Sequence, residues 1–333
     1  AQAARALGDY GAVSDTVRAR VLAAAESLGY RANALARSIT SGSTRTVGVA
    51  VADIANPFFA NVVAGIDSVL RREGYHLFLA DSAERLEEEV AAVNAMLSHR
   101  VDALAVAPAS VLDTAHLREI VAASRPLVLF DRPVEGLPAD QISLDHHSAA
   151  FSMTRHFLDL GHRRIAFVSS VAHPTSRYRR GDRVMTSSVG LRLDGFLDAM
   201  DTHGELNAPE RLVRLNAGGG EAARQCIEDL LEMQDPPTAI VTSDSMIATV
   251  AVRGARALGK VIPDNVAIGS FDDSDWTTLT QPRITVVAQP AFELGVQVAL
   301  ALLRRLNGDG SPPRTVLLDG ELVVRESSGG RVM

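Results

Sequence analysis

From Thr46 onward the chain alternates short apolar runs with amphipathic stretches, and it runs through that alternation twice. Val47 to Val51, His76 to Ala80, Ala103 to Ala107 and Leu127 to Phe130 read as strands. Helical patterns lie between them at Ala60 to Arg72, Glu84 to Ser98 and Thr114 to Ala123. After Gln141 to Leu144 the order restarts with helix His146 to Leu160, strand Arg164 to Ser169, helix Val189 to Met200 and strand Leu212 to Leu215. Helix Glu221 to Met233, strand Ala239 to Thr242, helix Ser245 to Leu258 and strand Val266 to Phe271 complete it. A strand wetted on one face alternates polar and apolar residues, whereas these runs are apolar on both faces. Strands of that kind separated by helices belong to parallel sheets covered on both sides. The expected fold class is α/β, with two doubly wound parallel-sheet lobes. The two halves show no close internal repeat, so their likeness is architectural.

Two late strands, Ile284 to Ala288 and Val316 to Val324, flank the helix Phe292 to Leu306. If they return to the earlier sheets, the chain crosses between lobes several times, which builds a hinge and a cleft. The expected division is a small helical segment over 1–45 and a bilobal unit over 46–333. The first lobe takes about 46–145 plus 289–308, and the second about 146–283 plus 314–327. At 333 residues, 47% hydrophobic and 22% charged, the chain can bury two cores. With only 5% aromatics, Ala, Val and Leu must fill most of them. The single cysteine, Cys226, cannot form an internal disulfide and fits a reducing, cytoplasmic compartment as a buried structural thiol. The most apolar long run, Val286 to Leu303, carries Gln289, Pro290, Glu293 and Gln297, so no membrane span is expected. The first residues lack a secretory signal pattern, although a start at Ala1 leaves a removed leader open.

The N-terminal 45 residues differ in character. Ala1 to Leu7 favours helix, Gly8 to Gly11 is a turn, and Ser14 caps a second helix reaching about Leu28. There Val17, Val21, Leu22, Ala25 and Leu28 share a face expected to pack inward, and Gly29 sits where a left-handed cap belongs. This segment holds six arginines against three carboxylates, while the whole chain carries −7. A basic arm on an acidic body suits contact with a polyanion, and chance clustering would give the same count.

Taken together, Leu28-Gly29-Tyr30, Asn33-Ala34-Leu35-Ala36-Arg37-Ser38, Asn56-Pro57-Phe58-Phe59, Gly161-His162-Arg163-Arg164-Ile165-Ala166-Phe167, Phe271-Asp272-Asp273 and Thr285-Val286-Val287-Ala288-Gln289-Pro290 carry a resemblance. In this order and spacing the chain resembles the LacI/GalR (lactose/galactose repressor) family of bacterial transcription regulators over essentially its whole length. The resemblance implies a DNA-binding head, a periplasmic-binding-protein-like effector domain, a homodimer and a near-palindromic operator. Ala1 to Leu7 matches the recognition helix, which leaves the helix-turn-helix incomplete at its N-terminus. Truncation is the expectation, since a recognition helix with nothing to pack on would fray. Arg5 matches a base-contacting position, where arginine pairs with guanine O6 and N7. Gln2 is open between an adenine contact and a solvated residue. Asn33 caps a hinge helix from Ala34 to Ile39, and Ala36 joins the DNA-binding set. Ile39 stands where the family inserts an aliphatic wedge into the minor groove, with packing on its own lobe as the alternative. Ala32 replaces the usual proline.

For the cleft, the resemblance implies effector-binding roles for Asp53, Phe58, Asp131, Arg192, Ser243, Asp244, Asp272 and Trp276. Asp131 and Asp272 each end an apolar strand, where open parallel sheets bind ligands. Asp53 and Asp244 precede helices and are open between cap and contact. Phe58 has core as its alternative, Arg192 a surface ion pair, and Trp276 a lid or dimer contact. Ser243 replaces a common asparagine. The basic stretch His173 to Arg183 reads as a mobile loop at the cleft mouth. The effector implied is a sugar or related small molecule. No cofactor or metal is expected: adjacent His146 and His147 do not share a face, and Gly218-Gly219-Gly220 lacks the context of a dinucleotide loop. No Gly-x-Ser-x-Gly elbow occurs, so the chain is read as a regulator and not an enzyme. The rival from another class is a periplasmic sugar-binding transport component. The wedge assignment predicts that Ile39→Ala in the full-length protein weakens operator binding in a fluorescence-anisotropy titration while effector affinity stays unchanged.

Overall fold

The structure is a computed structural model that describes residues 3, 5–6, 13–28, 43–175, 178–202, 209–218 and 220–329. Strands β1 (Thr46–Val51), β2 (His76–Asp81), β3 (Ala103–Val106), β4 (Leu127–Phe130) and β5 (Asp140–Leu144) build the first lobe. Strands β6 (Ile165–Val168), β7 (Val213–Arg214), β8 (Ala239–Thr242), β9 (Ala267–Phe271) and β10 (Thr285–Ala288) build the second. Two late strands, β11 (Thr315–Leu318) and β12 (Glu321–Val323), complete them. The orders are β11-β5-β4-β3-β1-β2 and β12-β10-β9-β8-β6-β7, the same topology written twice. Every pairing is parallel except β10 with β12, which is antiparallel. Each sheet has an apolar cluster on both faces, as central strands such as β1, β3 and β4, apolar on both faces, require.

The helices are α1 (Asp15–Ser27), α2 (Pro57–Leu70), α3 (Leu86–Ser98), α4 (Ala115–Ala122), α5 (His146–Asp159), α6 (Ser187–Thr202), α7 (Gly220–Leu231), α8 (Ser245–Ala257), the short α9 (Asp275–Leu279) and α10 (Ala291–Leu306). Local chemistry sets their starts. Asn56 accepts a hydrogen bond from the Phe58 amide at 3.0 Å and Pro57 fills the first turn, so α2 begins three residues before the apolar periodicity does. Asp145 and Asp244 cap α5 and α8 in the same way, accepting from the Ser148 and Ile247 amides at 3.0 and 2.9 Å.

The chain passes between lobes three times, at Asp145–His146, Gln289–Pro290 and Asp319–Gly320. Helix α10 therefore returns to the first lobe, where Arg305 Nε lies 2.7 Å from Asp140 Oδ2 at the start of β5. The late segment Val316 to Val324, expected as one strand of the second lobe, is two strands in different lobes. Residues 315–318 extend the first sheet beside β5, and only 321–323 join the second. The break falls at Gly320, where a Cβ would stand 2.8 Å from Val287 Cγ1 and 3.3 Å from Leu144 Cδ1. Only glycine lets the chain thread between those two strands. Residues 285–288, left between the two expected lobes, form β10 of the second sheet. The strand expected from Leu212 to Leu215 contracts to two residues behind a 3-10 turn.

Among the described residues of the N-terminal segment, α1 follows the expected span, but none of its residues is buried. Val17, Val21 and Ala25 are half-covered, and Leu22 and Leu28 are exposed, so the expected inward face has no described partner to cover it. The strand that follows is firmly seated. Asp102 accepts from the Thr44 amide at 2.8 Å and from the Arg45 amide at 2.9 Å, which ties the entry of β1 to the first lobe.

Small residues bring paired helices into backbone contact. A Cβ on Gly65 in α2 would run into the Phe292 carbonyl, and one on Gly295 in α10 into the Val62 carbonyl. The second lobe repeats this with Gly195 of α6 against the His147 carbonyl. Gly295→Ala and Gly65→Ala should each lower stability by about 1–3 kcal/mol, the usual range for overpacking, read as a lower urea midpoint with an unchanged m-value.

Candidate effector cleft

Residues that follow β1, β3, β4, β6, β8, β9 and β10 meet in a cavity of about 200 Å³ between the lobes. The first lobe contributes Asn56, Phe58, Phe59, Glu84, Ala109, Asp131 and Arg132. The second contributes Ser170, Thr186, Ser188, Arg192, Ser243, Asp244, Asp272 and Gln289, among others. The floor is electrically dense. Asp131 and Asp272 occupy equivalent places in the duplicated sheets, one after β4 and the other after β9. Both have left-handed backbones, with φ of 63° and 72°, and both amides donate 3.0 Å hydrogen bonds to the neighbouring strand, at Ile142 and Val287. A non-glycine residue in that conformation is uncommon, and Asp tolerates it better than most.

Arg192 reaches from α6 into the middle of this floor. Its Nη1 donates to the Ser243 carbonyl, its Nη2 to Gln289 Oε1 at 3.2 Å, and its Nε to His146 Nδ1 at 3.2 Å. Its Cζ lies 4.1 Å from the centre of the Phe271 ring, a cation–π contact. Because a guanidinium only donates, His146 Nδ1 must accept, and the imidazole proton sits on Nε2. That proton points to the Asp131 carbonyl, 2.9 Å away. Burial, reinforced by Arg192, holds His146 below the usual histidine range and keeps it neutral. A neutral imidazole thus links Asp131 of the first lobe to Arg192 of the second.

The carboxylates differ. Burial would raise Asp131, but His146, Arg132 and Arg192 outweigh it and keep its carboxyl below the usual range. Asp272 is pushed up to about 6 by burial, with Arg192 and Gln289 opposing and Asp244 and Asp131 reinforcing. Ser243 donates its hydroxyl to Asp244 Oδ2 at 2.7 Å while Asp244 caps α8, so Asp244 acts both as cap and as lining. On the other wall, Glu84 takes both Nη groups of Arg132 at 2.7 and 2.6 Å, and the Pro108 carbonyl accepts from Arg132 Nη1 at 3.1 Å. Two buried lining oxygens, Asp131 Oδ1 and Thr186 Oγ1, have no hydrogen-bond partner. Buried polar atoms are rarely left so.

Six of the eight expected cleft residues meet here: Phe58, Asp131, Arg192, Ser243, Asp244 and Asp272. Phe58 is at once lining and core, edge-on to Phe59 at 5.1 Å. Asp53 is not among the lining residues. Its Oδ1 accepts from the Ala55 amide at 2.8 Å, a local turn bond that orients it along the loop, and Asn56 takes the place facing the cavity. Trp276 is also absent, since α9 lays it against the outer core of the second lobe. The stretch His173 to Arg183 does not line the cavity, and its described residues are anchored rather than loose. The His173 amide donates to Asn216 Oδ1 at 2.6 Å, Tyr178 is buried, and Arg180 grips Asp201 with two bonds of 2.7 and 2.9 Å. The wall begins beyond it, where the Val111 amide donates across the cleft to the Met185 carbonyl at 2.9 Å. Arg5 is exposed, and Gln2, Asn33, Ala36 and Ile39 lie outside the described residues. The sequence reading missed Glu84, Arg132, His146, Thr186 and Gln289. Gln289 follows a strand end directly and Arg132 stands two residues past one, which was a usable signal; Glu84 and Thr186 carried none.

A model of the periplasmic binding protein-like domain matches residues 154–328. The HTH-type transcriptional regulator PtxS of Pseudomonas aeruginosa is 30% identical over 329 residues, covering 97% of this chain and 90% of that protein. A LacI family transcriptional regulator from Enterococcus faecium, solved with bound ribose, superposes with a TM-score of 0.70 at 25% identity, over 85% of this chain and 98% of that one. The transcriptional regulator CelR in complex with cellobiose gives a TM-score of 0.73 at 26% identity, over 97% and 94%.

The raised Asp272 carboxyl predicts a trade of stability against binding. Its protonated form is the one the folded state prefers, so the penalty is absent near pH 4, grows as pH rises, and is complete above about pH 6. Asp272→Asn should therefore stabilise the ligand-free protein by up to about 3 kcal/mol near neutral pH and by little near pH 4. Urea midpoints at the two pH values check this.

Proposed function

The chain belongs to the LacI family of transcriptional regulators, and from that premise we propose that it is a repressor whose hold on operator DNA is released by a sugar bound between its lobes. The observation that carries the effector half is the interlobe cavity, lined by Asp131, whose buried Oδ1 accepts no hydrogen bond and lies 3.5 Å from His146 Nε2. Sugar hydroxyls are donors, and a fixed carboxylate oxygen is the acceptor they pair with best. Ribose and cellobiose in the two related structures support the same class of ligand. The DNA half rests on family membership and on the basic N-terminal segment, where Arg5 is the base-reading candidate and Ile39 the minor-groove wedge.

In this reading the protein acts in the cytoplasm as a homodimer on a near-palindromic site and catalyses no reaction. Effector binding changes the angle between the lobes, and the paired hinge segments lose the geometry that fits the duplex. A coupling of about 1–3 kcal/mol would lower operator affinity roughly 5–150-fold. The test is operator binding by fluorescence anisotropy, with and without sugars, alongside the Arg192→Met variant. Wild-type affinity should fall with the right sugar. The variant should hold DNA and ignore the sugar, because its loss unties Ser243, Gln289 and His146 together. A variant that still responded fully would remove Arg192 from the mechanism, and a full-length protein that ignores DNA under all conditions would end the reading.

A further inference from the structure

The ionisable residues lining the cavity are Glu84, Asp131, Asp244 and Asp272 against Arg132 and Arg192, four carboxylates to two guanidiniums. Among the described residues the one imidazole in contact with them, His146, is neutral and faces the floor rather than the cavity. What matters for an anion is whether either guanidinium can turn its fork to a ligand. Neither can. Both Nη groups of Arg132 are held by Glu84, which leaves only its Nε without a hydrogen bond, 3.4 Å from Asp131 Oδ2. Each of the three nitrogens of Arg192 already donates once, to Ser243, Gln289 and His146, so only single N–H groups remain on Nη1 and Nη2, and one face is covered by Phe271. The buried lining atoms without a hydrogen-bond partner are an acceptor, Asp131 Oδ1, a hydroxyl, Thr186 Oγ1, and one single N–H donor, Arg132 Nε. The cavity, about 200 Å³, is also below the ~300–1,000 Å³ that holds drug-sized ligands.

We infer that the effector is an uncharged, monosaccharide-sized polyol, and that this cleft rejects the phosphorylated and acidic forms of the same sugar. The inference rests on the sugar-effector reading above and narrows it. A phosphate or carboxylate entering here meets a lining with two excess negative charges and no guanidinium that has two unengaged nitrogens. A neutral sugar meets an acceptor for one hydroxyl and a hydroxyl partner for another. Glu84 is the selectivity element in this arrangement: it never needs to touch the ligand, because it acts by occupying Arg132.

Calorimetric titration and thermal shift of the full chain against neutral pentoses and hexoses, their aldonic acids, their terminal phosphates and common disaccharides test this directly. The expected result is a neutral monosaccharide that binds and raises Tm, with its aldonate and phosphate at least about a hundredfold weaker, as like-charge juxtaposition implies. In Glu84→Gln the freed guanidinium should shrink that discrimination by about tenfold or more. An aldonate or sugar phosphate that binds more tightly than its neutral parent overturns the inference and leaves the sugar-effector reading standing. Preference for a disaccharide over every monosaccharide overturns it equally. Unchanged discrimination in a folded Glu84→Gln protein removes Glu84 and the blocked-fork argument. A protein that binds no sugar of any charge fails at the earlier reading, and the inference falls with it.

Discussion

Everything in the cleft is arranged around the charge on Arg192. An unpaired guanidinium at that depth would be untenable, since desolvating an ion costs several kcal/mol even after the protein relaxes. The fold meets this with a carbonyl, an amide oxygen, an imidazole nitrogen and an aromatic face, all on fixed elements. Those partners have consequences of their own. Gln289 must present its oxygen to Arg192, which turns its nitrogen toward Asp272 and fixes the orientation of an otherwise ambiguous amide. His146 must present Nδ1, which sends its proton to the other lobe. The buried cation thus dictates the donor and acceptor pattern across the floor.

Much of the fold was legible in the sequence because it depends on local apolar periodicity. Strands such as Val47 to Val51 and Leu127 to Phe130 announce burial on both faces, and their alternation with helices leaves few topologies. The exchange of late segments was only half visible. Nothing local distinguishes Val316 from Val323, and the decisive fact is steric: Gly320 threads between Val287 and Leu144, which are distant in sequence.

The site followed the same rule. Asp131 and Asp272 could be placed by their position at strand ends. Ser243, Asp244 and Arg192 came through family resemblance, and the structure adds the bonds that fix them. Asp53 and Trp276 do not line the cavity, for opposite reasons. Asp53 was claimed by its own loop through the Ala55 amide, and Trp276 by an outer core that only the folded second lobe creates. Glu84 was invisible because its importance lies in Arg132, forty-eight residues away. The adjacent histidines were weighed only as metal ligands, whereas His146 earns its place as a neutral relay.

The duplicated topology has a mechanical side. Two bodies joined by one strand can tumble; joined by three short, neighbouring passages they can neither slide nor separate. Asp145 and Leu318 are themselves bonded at 2.8 Å, so two of the passages are laced together at the axle. What remains is rotation about that axle, with the glycine-clamped helices keeping each half stiff while it turns. Residues 44 and 45, where the N-terminal segment enters β1, are bolted by Asp102 to the first half. A change of angle between the halves is carried to that attachment, and a lever of this kind reports occupancy without any contact between the occupant and the attachment.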